Sequence, residues 1–572
     1  MKNRTPKQIV PTLFTLWALM CLLFCLGCAP QYRIKTAKEN AWYDMMHRNA
    51  LHSEQLSYYT SLFLHNYLLK ETYKKDPLQT LIDFDRTLGE NLERDNLFSM
   101  AELCYSQAKK EKKDFQLQLK LYLTASRYAY AYLFEEIAGS LPEQHDPRYR
   151  LACDFYNRSI AKCIHIMIDQ KINLDQVDRK MPLINGDVYI QSATSDRLFH
   201  LQDFDLLLDA YNYEIKGIEF VHRKYGLGAP LIALKTVSTK DISIGVEEEA
   251  QKTIQQTFPA TAILRFQGSI CIHSSGRTET AVAELYDPTR YNTIEIQCQK
   301  IPLESDFTTP LAYEISQAKT YSGIMAMFRV QKYEKRLGLF LLQPYDREKI
   351  PVVFIHGLMS YPYTWGPMIN ALFSDAELHQ KYQFWFYAYS TGNSIIMNAQ
   401  RLRQTLLETK LTLDPEGEDG NFNKMVLIGH SMGGVLAKWM VQSSPDDLWD
   451  QFSRSGQSID ELDVSEEYKT YFHQLFEFEP LPFVSRVVFM ATPHRGSLTA
   501  DNFLGRLAIS LISLPITTTT MIKNTLTAIG NENVGKADFK MTSINSLSPK
   551  NPVLLKMADA PISDKVKVHS II

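Results

Sequence analysis

From Pro351 onward the chain alternates apolar strand-like runs with amphipathic helix-like segments. No other feature limits its fold as strongly. Pro351-Val352-Val353-Phe354-Ile355 is an unbroken apolar run, the pattern of a strand covered by helices on both faces. Gln383-Phe384-Trp385-Phe386-Tyr387, Met425-Val426-Leu427-Ile428 and Val487-Val488-Phe489-Met490 read as further strands. Residues 398–410 and 435–442 read as helices, and 565–572 as the next strand. Such alternation predicts an α/β architecture with a doubly wound, mostly parallel sheet.

Three short motifs sit where strands end. Gly429-His430-Ser431-Met432-Gly433-Gly434 follows a buried strand and opens a helix. That context is required of a G-x-S-x-G nucleophile elbow, in which the serine stands in strained backbone geometry on a turn too tight for flanking side chains. Gly429 and Gly433 are therefore the expected elbow glycines. Ser431 Oγ would project above the sheet at a helix N-terminus, where partial positive charge favours developing negative charge. His356-Gly357-Leu358-Met359 follows the strand at 352–355. A backbone N–H here, with Leu358 as the expected donor, would pair with the N–H of Met432 to hold an oxyanion. Ala491-Thr492-Pro493-His494-Arg495-Gly496-Ser497 follows the strand at 487–490.

Together these motifs resemble the bacterial lipase/esterase branch of the α/β-hydrolase superfamily, over roughly residues 349–572. The resemblance implies an α/β-hydrolase domain with Ser431 as nucleophile of ester hydrolysis through an acyl-enzyme. It implies no metal and no organic cofactor. His356 and His494 are the candidate pocket-lining residues, neither as the base, and each side chain reads preferably as structural, His356 bonded to backbone and His494 stabilising its loop. The family order is serine, acid, histidine. The acid is expected after the strand at 565–572 and the histidine further on, so both triad partners are expected outside the given sequence, as in a piece of a longer hydrolase. A genuinely truncated chain with no working triad is the alternative. Asp538, Asp559, Asp564 and His569 are the candidates within it. An acidic insertion at 443–483, carrying Trp449, Phe452, Tyr471, Phe472, Phe476 and Phe478, and an apolar segment at 503–512 each read either as a lid or as plain packing. The expected partner is an ester or lipid-like small molecule. The other readings of the same motifs are an acyltransferase or amidase using this serine, and a non-catalytic partner-binding lipoprotein with a degenerate hydrolase domain.

The preceding residues are of other kinds. Lys2, Arg4 and Lys7 precede an apolar run at 9–26 that ends in Cys25-Leu26-Gly27-Cys28. Residues 1–28 thus read as a secretory signal or a membrane anchor. Gly27-Cys28 resembles the lipobox of bacterial lipoproteins, which implies acylation of Cys28. Either reading places the body at a membrane in the cell envelope, outside the cytoplasm. Residues 37–175 carry apolar residues at helical spacing, among them Leu121, Ala125, Tyr128 and Tyr132. They predict an α-helical domain of packed hairpins, either capping the enzyme or binding a protein partner. Short β-rich runs such as Ala262-Ile263-Leu264-Arg265-Phe266 mark a small β-rich domain over 180–342, with a helix expected near 203–223.

The net charge of -3 argues against a nucleic-acid partner. It becomes −6 if the three N-terminal cations leave with a signal, so nothing in the balance favours anionic lipid. Hydrophobic residues at 45% and charged residues at 22% exclude a wholly disordered or multi-span chain. Eight cysteines in 572 residues are too few for a disulfide scaffold, and no C-x-x-C spacing supports zinc. Cys153 and Cys163 read as a bridge or, preferably, as small buried residues on helices.

Overall fold

The computed structural model describes residues 40–572 except 89–92, 137–139, 144, 173–177, 194–197, 239–242, 245–252, 269–277, 318–336, 344, 454–456 and 498–545. The signal or anchor segment with Cys28, Cys271, the apolar segment at 503–512 and Asp538 lie outside the described residues. Among the described residues no helix is long and apolar enough to cross a membrane.

Three long helices form one layer: α1 (Arg94–Lys110), α2 (Phe115–Phe134) and α3 (Pro147–Asp169). Their starts follow from the sequence. Asp114 accepts from the N–H groups of Gln116 and Leu117, and Asp146 caps α3 with Pro147 in its first turn. Ala101, Ala125, Ala129 and Ala161 are fully buried where these helices touch, because small side chains permit close approach. The layer packs on a six-stranded sheet of order β1-β2-β7-β6-β4-β3. Its strands are β1 (Arg179–Pro182), β2 (Asp187–Ser192), β3 (Leu206–Asp209), β4 (Ala229–Ser238), β6 (Thr253–Gln267) and β7 (Thr278–Tyr286). Only β2 and β7 pair in parallel.

Helices and sheet share one apolar core running from Ala50 to Leu303. The separate helical and β-rich domains expected over 37–175 and 180–342 are therefore two layers of one body, since neither layer buries its apolar face alone. The expected helix at 203–223 is corrected as well. Leu206-Leu207-Leu208-Asp209 forms the edge strand β3, with single 3-10 turns at Leu201–Asp203 and Ala210–Asn212. Cys153 and Cys163 are free and buried on α3, ten residues apart along one helix and so beyond bridging distance.

The C-terminal domain holds the second sheet, of order β13-β12-β11-β9-β10-β8-β5. Its strands are β5 (Ser243–Ile244), β8 (Gly338–Leu341), β9 (Ile350–Ile355), β10 (Tyr382–Ala388), β11 (Met425–His430), β12 (Val484–Met490) and β13 (Lys567–Ile571). The five strands from β13 to β10 run parallel, β8 runs antiparallel to β10, and β5 runs antiparallel to β8. This is the α/β-hydrolase arrangement the motifs predict. Alternate residues face opposite ways along each strand. Val353, Ile355, Trp385 and Leu427 enter one core, and Val352, Phe354, Phe384 and Ile428 the other.

The sheet draws strands from before the expected boundary at 349, because Leu339 and Leu341 complete its apolar face and the pair Ser243–Ile244 caps its edge. A helix of the first body, α4 (Thr308–Gln317), reaches across. Its residue Leu311 lies in the hydrolase core, and Thr308 Oγ1 donates to Asn370 Oδ1 at 2.7 Å. Helix α5 (Ile395–Leu413), capped by Ser394, covers the other face. It is joined there by α6 (Met432–Trp439), α7 (Leu448–Ser453), α8 (Glu466–Phe476) and α9 (Pro552–Asp559). Trp449, Phe472 and Phe476 of the acidic insertion pack into that core, so the insertion packs against the sheet as structure rather than standing free as a lid.

Candidate active site

The carboxyl end of β11 lies between β9 and β12, where a parallel sheet presents its ligand crevice. There the chain reverses at Ser431, with φ 52° and ψ −122°. A side chain at positive φ is strained, and the surroundings hold it there. Ser431 N donates to the Met490 carbonyl at 2.9 Å, and the Ser431 carbonyl accepts from Gly434 N at 3.0 Å. A Cβ on Gly429 would run into the Gly433 carbonyl, and one on Gly433 into the Ile355 and His356 carbonyls. Both elbow glycines are thus demanded by backbone contacts.

The loop after β9 closes on this turn. A Cβ built on Gly357 would stand 3.0 Å from Ser431 Cβ and 2.9 Å from His430 Nδ1. Leu358 is half-buried and Met432 fully buried. No described residue accepts a hydrogen bond from the amide N–H of Leu358 or Met432. The structure therefore brings Gly357 against Ser431 and the elbow glycines, with the neighbouring amides of Leu358 and Met432 unengaged among the described residues.

The two histidines sit in different surroundings. His356 is 2% exposed, in keeping with a structural histidine bonded to backbone. Its ring stacks on Tyr389 at 4.4 Å, and Nδ1 contacts the Gly357 carbonyl at 3.1 Å. Burial pushes its pKa down to about 4, leaving the ring neutral. His494 follows a segment that descends along α6. Thr492 packs against Gly434, and His494 feels the charge of Lys438. Burial and that lysine both lower its pKa. Its Nδ1 is buried with no hydrogen-bond partner among the described residues.

Of the fallback triad residues, His569 lies apart from the serine. His569 sits on β13, two strands or about 10 Å from β11. Its Nε2 accepts from Arg486 Nη1 at 2.5 Å. Asp559 pairs with Arg495 at 2.5 Å on the surface, and Asp564 is exposed. Among the described residues no side chain hydrogen-bonds Ser431 Oγ, and no cluster of His, Cys, Asp or Glu is suited to a metal.

One residue escaped the sequence reading. Tyr389, just past β10, donates its hydroxyl to the His356 carbonyl at 2.6 Å and stacks on that ring. It clamps the loop carrying Leu358 from below. The only signal was its position at the carboxyl end of the strand beside that loop.

Residues 347–568 match the family described as "Putative serine esterase (DUF676)". None of the curated proteins matches the chain. Among solved structures, the mature form of lipase BlEst2 from Bacillus licheniformis is 18% identical, over 41% of this chain and 70% of its own, with a TM-score of 0.23. A lipase-esterase related protein from Clostridium acetobutylicum is 13% identical, over 41% and 78%, with a TM-score of 0.20. Esterase B from Lactobacillus rhamnosis, with a tributyrin phosphonate inhibitor, is 13% identical, over 45% and 80%, at a TM-score of 0.20.

Proposed function

We propose that the α/β-hydrolase domain at 347–568 is a serine esterase that cleaves carboxylic esters through an acyl-enzyme on Ser431. The observation that carries this reading is the backbone of Ser431, held at φ 52° between a central strand and a helix, beside the Gly357 loop. Strain of this kind persists only where surrounding contacts over-determine it. The family match over the same residues agrees with it.

In this reading Ser431 Oγ attacks the ester carbonyl carbon and its proton passes to a base. The carbonyl oxygen becomes an oxyanion held by the N–H groups of Leu358 and Met432. Two preorganised donors of this kind stabilise such a charge by several kcal/mol, about 2.7–4 for each. The protonated base gives that proton to the departing alkoxide as the C–O bond breaks, releasing the alcohol and leaving the acyl group on Ser431. Water hydrolyses that ester by the same steps and releases a carboxylic acid. The reading requires an imidazole oriented by an acid as the base. His356 is excluded from that part by its burial beneath the loop, and His569 by its bond to Arg486.

A fluorophosphonate probe on the full gene product tests the serine. Labelling that disappears in Ser431→Ala supports the reading, and a protein that never labels defeats it. An ester offered with a competing alcohol distinguishes hydrolysis from acyl transfer by its product. Membrane attachment through an acylated Cys28 belongs to the same proposal. Palmitate incorporation in cells, lost in Cys28→Ser, is its expected signature.

A further inference from the structure

The helix layer does not close completely on the N-terminal sheet. Between α2, α3 and the strands β1, β2, β6 and β7 lies a cavity of about 110 Å³. Leu123, Ile160 and Met167 form its helical wall, and Met181, Ile190 and Ala283 its sheet wall. Dry apolar cavities of roughly this size (about 150 Å³) take up hydrocarbon molecules in other proteins. None of the residues around Ser431 borders it.

Few polar groups touch this space, and its carboxylate is already engaged. Glu284 pairs with Arg265 at 3.0 Å and accepts from the Tyr286 hydroxyl at 2.9 Å. The nearby Asp178 carboxylate accepts from Ser192 N at 3.3 Å. Arg179 differs. It is half-buried and lines the cavity, opposite Ile190 in the ladder and on the same strand face as Met181. Among the described residues, which leave out 173–177 and 194–197 beside it, its guanidinium has no ion-pair or hydrogen-bond partner. A cation held partly out of water without a partner costs free energy that an anion recovers. A guanidinium fork matches a carboxylate in particular.

The two features together select an amphiphile, with a chain for the walls and an anionic head for the arginine. We propose that the N-terminal body binds a single-chain fatty acid. Its hydrocarbon lies between helix layer and sheet, and its carboxylate rests on Arg179. This site stands whether or not Ser431 is catalytic.

The test is calorimetric titration of the full chain carrying Ser431→Ala, with decanoate and, separately, decanol. One decanoate per chain is expected. Arg179→Gln should weaken decanoate about tenfold while leaving decanol within about twofold, the size of one partly exposed charge-assisted contact. Ala283→Phe fills the cavity and should remove binding of both. If that variant fails to fold by circular dichroism, Arg179→Gln decides alone, because its side chain borders the cavity without supporting the core. Absence of saturable decanoate binding overturns the proposal. So does binding that survives both substitutions, since the ligand would then sit elsewhere, and so does equal weakening of decanoate and decanol by Arg179→Gln.

Discussion

The two sheets of this protein use their apolar strands in opposite ways. In the C-terminal sheet the central strands are parallel and covered on both faces, so their sides offer no room and the chemistry sits at their ends. In the N-terminal sheet the strands are mostly antiparallel, with the long helices α1 to α3 on one face and the short α4 on the other, and the free space lies between the long helices and the sheet. A strand-end site is built from a few consecutive residues and is stiff. An interlayer cavity is built by residues far apart in sequence and depends on how the layers settle. The two bodies should therefore respond differently to substitution.

The largest effect is expected at Gly433. A methyl group there would meet the Ile355 and His356 carbonyls, which belong to β9 and the loop after it and cannot swing aside. Gly433→Ala should abolish fluorophosphonate labelling and cost about 3 kcal/mol or more in a urea titration. Normal labelling in that variant would mean that the turn is looser than its contacts imply.

Glu102 in the first body is next. Its buried carboxylate accepts from Ala50 N and Ser57 N, each at 2.9 Å, and from the hydroxyls of Ser57 and Thr60. Burial raises its pKa, and these four donors oppose that rise. Glu102→Ala leaves buried donors without an acceptor and should cost about 3 kcal/mol in stability. At a temperature where the variant is still folded, the rate of Ser431 labelling should be unchanged. A slower rate would show that the bodies are coupled through α4 and the Thr308–Asn370 bond.

The same contrast explains what could be read in advance. The elbow was legible because each need is local: the strand Met425-Val426-Leu427-Ile428, the glycines on either side of the serine, and the helix that follows. The edge of the same sheet was not. Strand β8 is only four residues long, and β5 comes from nearly a hundred residues earlier, so no local pattern joins them. The first body was legible as helices and strands but not as one core, because Tyr156 meets Leu264 more than a hundred positions away. Leu206-Leu207-Leu208 was misjudged as helical because an edge strand carries no partner signal of its own. Arg179 carries no local signal of the cavity beside it, because the walls come from helices and strands far apart in sequence.

A third test uses acid. The His356 pKa is lowered to about 4 in the folded protein against 6.5 for an ordinary histidine, because burial disfavours the charged ring. Between those values the unfolded chain binds the proton that the folded chain refuses, so stability falls as pH drops through this window. At pH 5 the loss relative to neutral pH is about 2 kcal/mol from this ring. His379 is likewise lowered to about 4 by burial and stays in place as an internal reference. His356→Asn should therefore show a shallower fall in urea midpoint from pH 7 to pH 5 than the parent. Parallel slopes would mean that the ring is not buried under the loop.

The smallest effect falls on the residue that only the structure disclosed. Tyr389 is fully enclosed, and its hydroxyl donates to the His356 carbonyl while its ring supports that imidazole. Tyr389→Phe keeps the ring and removes one hydrogen bond, so stability should drop by only about 1 kcal/mol. The consequence for chemistry should be larger than that figure suggests. The carbonyl it holds precedes Gly357 and Leu358 by one and two residues, and a donor displaced by a fraction of an ångström no longer meets a developing oxyanion. Labelling of Ser431 should slow several-fold while binding of decanoate in the distant cavity is untouched. If both readouts moved together, the strand ends and the interlayer space would form a single elastic unit, and the division between a stiff local site and a collective cavity would fail.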